Sequence, residues 1–261
     1  RHGIDHLVDL PGVGKNLQDH IDYITVHKYN SIKLIGFSLK TILFKYPYEV
    51  IKYLITKTGL FTSTIAEAGA FLKTRDDLEA PNIQFHYAPA LIVDHGRSLL
   101  WGTGMSCHSC LLRPKSRGEV TLESADPFAD PLIDPKFLSH PDDMKDMIAG
   151  YKMMMGVLST EPFSKYISDH TMRPIDINDD SDIEQAMREE ADTVYHPVGT
   201  CKMGDDEMSV VDTRLKVHNM KGLRVVDASI MPTLVGGNTN APTIMIGEKA
   251  SDMILQDWNI H

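Results

Sequence analysis

The chain has 261 residues, with 26 Lys and Arg against 36 Asp and Glu, 42% hydrophobic residues, 18 Gly and 14 Pro. That composition excludes disordered and low-complexity architectures, and the length allows one large domain or two ordinary ones. A formal charge of -10 argues against nucleic acid as a partner, because phosphate binding draws on Lys and Arg that displace counterions.

In chain order, the first twenty residues end in Leu10-Pro-Gly-Val-Gly-Lys-Asn-Leu-Gln-Asp-His20, a loop in which Pro11, Gly12 and Gly14 force a tight turn. From Asp22 to Tyr29, Ile24 and Val26 alternate with Tyr23, Thr25 and His27, the period of a half-buried strand. The apolar spacing over Leu39–Ile55, interrupted by Pro47, predicts two short helices. Runs at Asn82–Ala88 and Met105–Leu112 predict strands, and Arg113-Pro-Lys-Ser-Arg-Gly118 predicts a turn into a further strand over Glu119–Glu123. Alternating Asp and Pro make 125–140 an irregular link.

A helix is expected over Pro141–Leu158, with Met144, Met147, Ile148, Met154 and Met155 on its apolar face. Another is expected over Ser181–Ala191, capped by Ser181 with Glu184 completing a capping box. Gly222–Asp227 predicts a short buried strand. Ala241–Trp258 carries the strongest helix signal, with Asn240 as its cap and Pro242 in its first turn. No apolar run approaches the ~18 residues a membrane helix needs.

Several motifs resemble sites without meeting their requirements. Gly12-Val-Gly-Lys-Asn16 has Asp9 where a phosphate loop needs Gly, and Asn16 where it needs Ser or Thr. Cys107-His-Ser-Cys110 has the spacing of a zinc half-site but no second pair. On a strand, positions three apart face opposite ways, so the two cysteines read as small hydrophobes. With Cys201 they total three, too few for a disulfide framework. Among twelve histidines, His86, His95, His140, His170 and His218 have no local partner at useful spacing. His196 stands out in Tyr195-His-Pro-Val-Gly-Thr-Cys-Lys-Met-Gly204, an irregular segment that could present a general base. Asn240 reads either as a helix cap or as a site residue beside a helix N-terminus that favours negative charge.

Leu10–His20, Tyr195–Gly204 and Leu223-Arg-Val-Val-Asp-Ala-Ser-Ile-Met-Pro232, in this order and spacing, resemble the C-terminal half of the glucose-methanol-choline (GMC) family of FAD-dependent oxidoreductases. Their phrasing is nearest to insect glucose-dehydrogenase-like members. The resemblance implies an α+β fold: an antiparallel-sheet substrate domain backed by helices, plus the C-terminal part of an FAD-binding α/β domain. Residues 1–20 and 193–261 would belong to the flavin domain and 21–192 to the substrate domain. The Gly-x-Gly-x-x-Gly unit that opens family members occurs nowhere here, and Arg1 is no initiator, so the chain is expected to be a fragment.

The resemblance further implies oxidation of an alcohol to an aldehyde or ketone, with hydride passing from the carbinol carbon to flavin N5. His196 would take the hydroxyl proton and Asn240 would hold the substrate oxygen. Asp227, Ala228, Thr239, Asn240, Pro242 and Thr243 would line FAD, with Asn16 and Asp19 on the boundary motif near it. The implied partners are a small-molecule alcohol and an electron acceptor, oxygen or a quinone, with no metal and no nucleic acid. Location is open, with secretion a family lead. The alternative is a flavin-free binding or structural module descended from the family.

Overall fold

A computed structural model of the chain describes residues 2–29, 36–94, 98–161, 163–171 and 173–259. His95 lies outside these, and the side chain of His170 is not described. The residues gather into two compact units. Unit 1 comprises 1–21, 112–143 and 195–261, and unit 2 comprises 22–111 and 144–194.

Unit 2 is built on an antiparallel sheet with helices. Its strands are β1 (Ile21–Tyr29), β2 (Gly36–Phe37), β3 (Ala68–Leu72), β4 (Ile83–Ala88), β5 (Ile92–Val93), β6 (Ser98–Leu99) and β7 (Gly102–Leu111). Residues Ile167–Thr171 and Asp192–Thr193 add two more. Among the described residues seven strands share one sheet, in which 167–171, β1, β7, β4 and β3 lie side by side. The β4–β7 register places Ile83 opposite Leu111 and His86 opposite His108. Alternation does not hold in β1: Tyr23, Thr25 and His27 are all buried, and Ile24 is only half-buried. A central strand covered on both faces needs no polar side, so a half-buried reading fails there.

The sheet is covered by a helix whose stripe is Met144, Met147, Tyr151, Met154 and Leu158, all buried. Three- and four-residue spacing puts these on one face. Ile148 and Met155, expected in that stripe, sit at its half-buried margins. Gly150 lets this helix approach closely, since a Cβ there would lie 2.9 Å from Ile83 Cδ1 and Ser109 Oγ. The Tyr23 and Tyr151 rings meet edge-on at 5.8 Å. The predicted bounds, Pro141–Leu158, are those observed.

Two helix ends differ from expectation. A π-helical turn over Thr41–Lys45 runs directly into α1 (Tyr46–Thr56), and Pro47 occupies the first turn of α1, where a missing N–H costs little, rather than a break between helices. With α2 as Pro141–Leu158, helix α3 is Asp180–Glu190. Its cap is Asp179, which accepts from the Ser181 N–H at 2.9 Å, so Ser181 is inside the helix and not at its start.

Unit 1 has little regular structure beyond helix α4 (Asn240–Asp257). Strand β8 (Glu119–Thr121) pairs antiparallel with β9 (Leu132–Asp134), not with the strand before the Arg113–Gly118 turn; part of the link read as irregular is therefore a strand. The core comprises Val198, Val210, Val211, Leu215, Val217, Ile230, Met231, Leu234, Ile246 and Ala250. Gly222–Asp227 forms no strand among the described residues. It makes one isolated bridge, Lys216 to Arg224, and Val226 is exposed.

The turn at 113–118 is organised by Asp143, only 2% exposed. Its carboxylate accepts from the Lys115 and Ser116 N–H groups at 2.8 Å each and from the Ser116 hydroxyl at 2.6 Å. Three hydrogen bonds to one buried carboxylate fix the loop.

Candidate active site

In the Leu10–His20 loop, Gly14 has φ +75°, and a Cβ there would lie 2.1 Å from the Val120 carbonyl oxygen. The close approach lets Gly14 donate to the Thr200 carbonyl at 2.8 Å and accept from the Val120 N–H at 2.7 Å. Two amide side chains then do what a sheet would do elsewhere. Asn16 Nδ2 donates to the Gly199 and Pro232 carbonyls at 3.2 Å. Buried Gln18 donates to Pro232 O at 3.1 Å and accepts from the Leu234 N–H at 3.2 Å. Its backbone also exchanges hydrogen bonds with Val198. The result draws three distant segments, 14–20, 196–200 and 232–235, into one lattice.

At the centre of this lattice is His20, fully buried. Its Nε2 faces two carbonyl oxygens, Leu112 at 3.2 Å and Val235 at 3.0 Å, and its Nδ1 lies 2.9 Å from His196 Nδ1. Carbonyls only accept, so the proton of neutral His20 must sit on Nε2. His20 Nδ1 is then an acceptor, and His196 must donate to it from its own Nδ1. This assignment leaves the His196 Nε2 lone pair unprotonated, and Nε2 makes no hydrogen bond within the described residues. The two rings meet edge-on, 5.1 Å apart.

His196 is half-buried and follows Tyr195, which holds φ +64°, an uncommon conformation for a bulky residue. The Asp19 carboxylate accepts the His196 backbone N–H at 2.9 Å. Burial lowers the His196 pKa below the ordinary histidine value, and the nearby Asp19 charge partly opposes the shift. The imidazole is thereby neutral at neutral pH while a negative charge stands ready for its protonated form.

The remaining sequence-selected residues fall into two places. Asp227 caps a 3-10 turn over Ala228–Ile230, its Oδ1 accepting from the Ser229 N–H at 2.7 Å, and this turn packs against α4. Thr239, Asn240, Pro242 and Thr243 form the start of α4. Asn240 is the first helical residue and not the cap; Thr239 precedes it, and no side chain caps the helix. The Thr239 carbonyl accepts from both the backbone N–H and the hydroxyl of Thr243. The Asn240 amide is exposed and makes no hydrogen bond within the described residues.

His20 links His196 to Val235, on the loop that leads into α4, whereas His196 and Asn240 are not themselves hydrogen-bonded. Sequence reasoning gave His20 and Gln18 no role, although both lie in the quoted Leu10–His20 motif. In unit 2, a second polar pair joins His108 Nδ1 to buried Asp22 at 2.6 Å; it was likewise not foreseen.

The model of the GMC oxidoreductase family matches residues 114–247, just over half of the chain. The chain is 45% identical over 258 residues to an alcohol dehydrogenase [acceptor] from Pseudomonas putida, covering 98% of this chain and 46% of that protein. It is 38% identical to an oxygen-dependent choline dehydrogenase from Cronobacter sakazakii, covering 94% and 44%. Among solved structures, a variant of formate oxidase from Aspergillus oryzae RIB40, studied for its FAD modification, superposes with a TM-score of 0.87 at 25% identity, over all of this chain and 50% of that one. The chain thus spans about half the length of these relatives. With the family model matched over more than half of the chain, including the segments of His196 and Val235, the chain belongs to the GMC oxidoreductase family.

Proposed function

We propose that this chain is the substrate-side and C-terminal part of an FAD-dependent enzyme that oxidises an alcohol to an aldehyde or ketone, with His196 as general base. In this reading 1–20 and 193–261 belong to the flavin domain and 21–192 to the substrate-binding domain. The observation that carries it is the His20–His196 contact, which leaves His196 Nε2 free to accept a proton. The similarity to alcohol and choline dehydrogenases supports the same reaction class; the insect glucose-dehydrogenase-like phrasing is a resemblance of motifs only.

The start of α4 fits a flavin. Its first turn has no side-chain cap, so its leading N–H groups and partial positive charge are available to an electron-rich ring edge. Gly237 borders open space, where a Cβ would meet nothing within 4 Å, and Ile244 and Met245 in α4 are exposed. Thr239, Asn240, Pro242 and Thr243 would hold FAD there, with Asp227 and Ala228 contributing from the turn that packs against α4. FAD, when bound, supplies the acceptor for the hydride that leaves the carbinol carbon.

His196 Nε2 takes the hydroxyl proton as the alcohol is oxidised. The imidazolium that forms donates from Nδ1 to His20 and lies within the field of Asp19, so the charge appears where an acceptor and a carboxylate already stand. The exposed Asn240 amide is free to donate to the substrate oxygen and orient it. The electron acceptor in turnover would be oxygen or a quinone.

The test is anaerobic: the purified full-length protein is mixed with simple alcohols and choline while its visible absorbance is followed. A flavin that bleaches on addition of an alcohol is expected. Absence of flavin would favour a flavin-free module, and a flavin that no alcohol reduces would remove the proposed reaction. Residues 1–261 alone are expected to lose flavin on desalting, because the Gly-rich turn that cradles the pyrophosphate is not among them.

A further inference from the structure

Helix α1 buries none of its residues. Its inward side is held by Tyr46, whose hydroxyl donates to the Gly36 carbonyl at 3.1 Å and whose ring meets Phe37 and Phe61 edge-on. Glu49 also turns back, accepting from the Leu60 N–H at 2.9 Å. Laid out at ~100° per residue, Val50, Leu54, Ile51, Ile55 and Tyr48 fill an arc of about 160°. All five are exposed, Ile55 at 76%. The preceding turn extends the patch with Phe44, 74% exposed. Contiguous apolar surface of this kind marks an interaction site.

Charge distinguishes this patch from an ordinary protein interface. Residues 36–65 carry four lysines and one acid, +3, in a chain of net charge -10. The one acid is Glu49, occupied by a backbone N–H, whereas Lys52 follows Tyr48 at the margin of the arc and Lys57 closes the helix, its ammonium 5.4 Å from the Tyr53 ring centroid. An apolar arc with lysines at its edge buries its side chains among acyl chains while the ammonium groups reach lipid phosphates. The helix has 11 residues, about half of what a span requires, so it would lie in the interface and not cross it.

We propose that α1 and the turn before it dock the protein onto an anionic lipid surface. This inference is independent of the proposed reaction. The experiment is flotation of the full-length protein with vesicles of phosphatidylcholine alone or mixed with phosphatidylglycerol. Binding to the mixed vesicles, reduced by salt and weak on phosphatidylcholine alone, is expected. Lys52→Glu with Lys57→Glu should weaken it at least about tenfold, from the electrostatic contribution of each Lys near such a surface. Ile51→Glu with Ile55→Glu should abolish it, while melting stays unchanged because both positions are exposed. In the unmodified protein, amide exchange over 46–56 should slow when mixed vesicles are added.

No binding to mixed vesicles would overturn the proposal. So would a helix already protected in their absence, whether by a second copy, shown by a concentration-dependent dimer that the isoleucine variant dissociates, or by another part of the polypeptide.

Discussion

Units 1 and 2 both bury apolar residues, but the contacts that set their geometry differ. In unit 2, a sheet and a helix meet through a periodic apolar stripe: Met147 and Met154 on α2, Ile83 and Phe85 on β4, all buried. Unit 1 is mostly loop, and the part that positions His196 is held by backbone carbonyls reached by Asn16, Gln18 and His20. Side-chain packing tolerates small adjustments, because side chains can move. A lattice of backbone contacts tolerates few, because moving one carbonyl breaks several bonds. The polar lattice of unit 1 is the part that carries the proposed chemistry, as a site that must hold an imidazole tautomer requires.

One glycine in each unit sharpens this contrast. Gly14→Ala places a Cβ against the Val120 carbonyl at φ +75° and should cost ~3 kcal/mol, enough to threaten folding. The nearest atoms to a Cβ in Gly150→Ala are side-chain atoms, Ile83 Cδ1 and Ser109 Oγ at 2.9 Å and Ile83 Cγ1 at 3.1 Å. There a helix-propensity gain of ~1 kcal/mol should offset much of the crowding. Denaturant melts of both variants measure the difference; equal losses would erase the distinction between the units.

Next in size is an effect on rate rather than stability. Asn240 is not the cap of α4, so Asn240→Asp and Asn240→Ser should melt within ~1 kcal/mol of the parent. Asn240→Asp removes a donor and adds a negative charge where substrate oxygen would be held, and should slow flavin reduction ~10²-fold. Single-turnover reduction decides; normal rates in both variants would remove Asn240 from the site.

The smallest effect is electrostatic and lies at the end of α4. Asp257 accepts from Lys216, Arg224 and Arg214, and these bonds hold its pKa down to about 2. A carboxylate with a depressed folded-state pKa stabilises the protein above its unfolded value of ~3.9, and that contribution disappears as pH falls through the folded value. The melting difference between wild type and Asp257→Asn should therefore narrow below about pH 4 and shrink in high salt. A gap independent of pH would contradict the ion cluster.

The same contrast governs what could be read from the sequence. Period carried the helix at Pro141–Leu158 and the strands at β4 and β7, since a stripe or an alternation is visible in one dimension. Capping was less legible: Asp179 and Ser181 are equally good cap residues, and only geometry selects Asp179. The Gly222–Asp227 run has a strand's composition but makes only one bridge among the described residues, and β9 was hidden among prolines. Of the proposed site, motif resemblance supplied His196 and Asn240 and passed over His20. Its importance comes from carbonyls at 112 and 235, about ninety and two hundred residues away, and no local pattern records such contacts.

In the proposed reaction His196 is a neutral base whose Nε2 is kept free by its contact with His20. The direct measurement is the rate of anaerobic flavin reduction by an alcohol against pH, in full-length wild type, His196→Ala and His20→Ala. Because burial lowers the His196 pKa, the wild-type rate should rise with pH along one ionisation below the ordinary histidine value of ~6.5 and then level. His196→Ala should lose that limb and ~10²–10⁴ of the rate while keeping its flavin. His20→Ala should fall between the two, with the limb displaced because Nδ1 has lost its acceptor. A His196→Ala enzyme that reduces flavin at the wild-type rate, or keeps the same pH limb, would contradict the assignment.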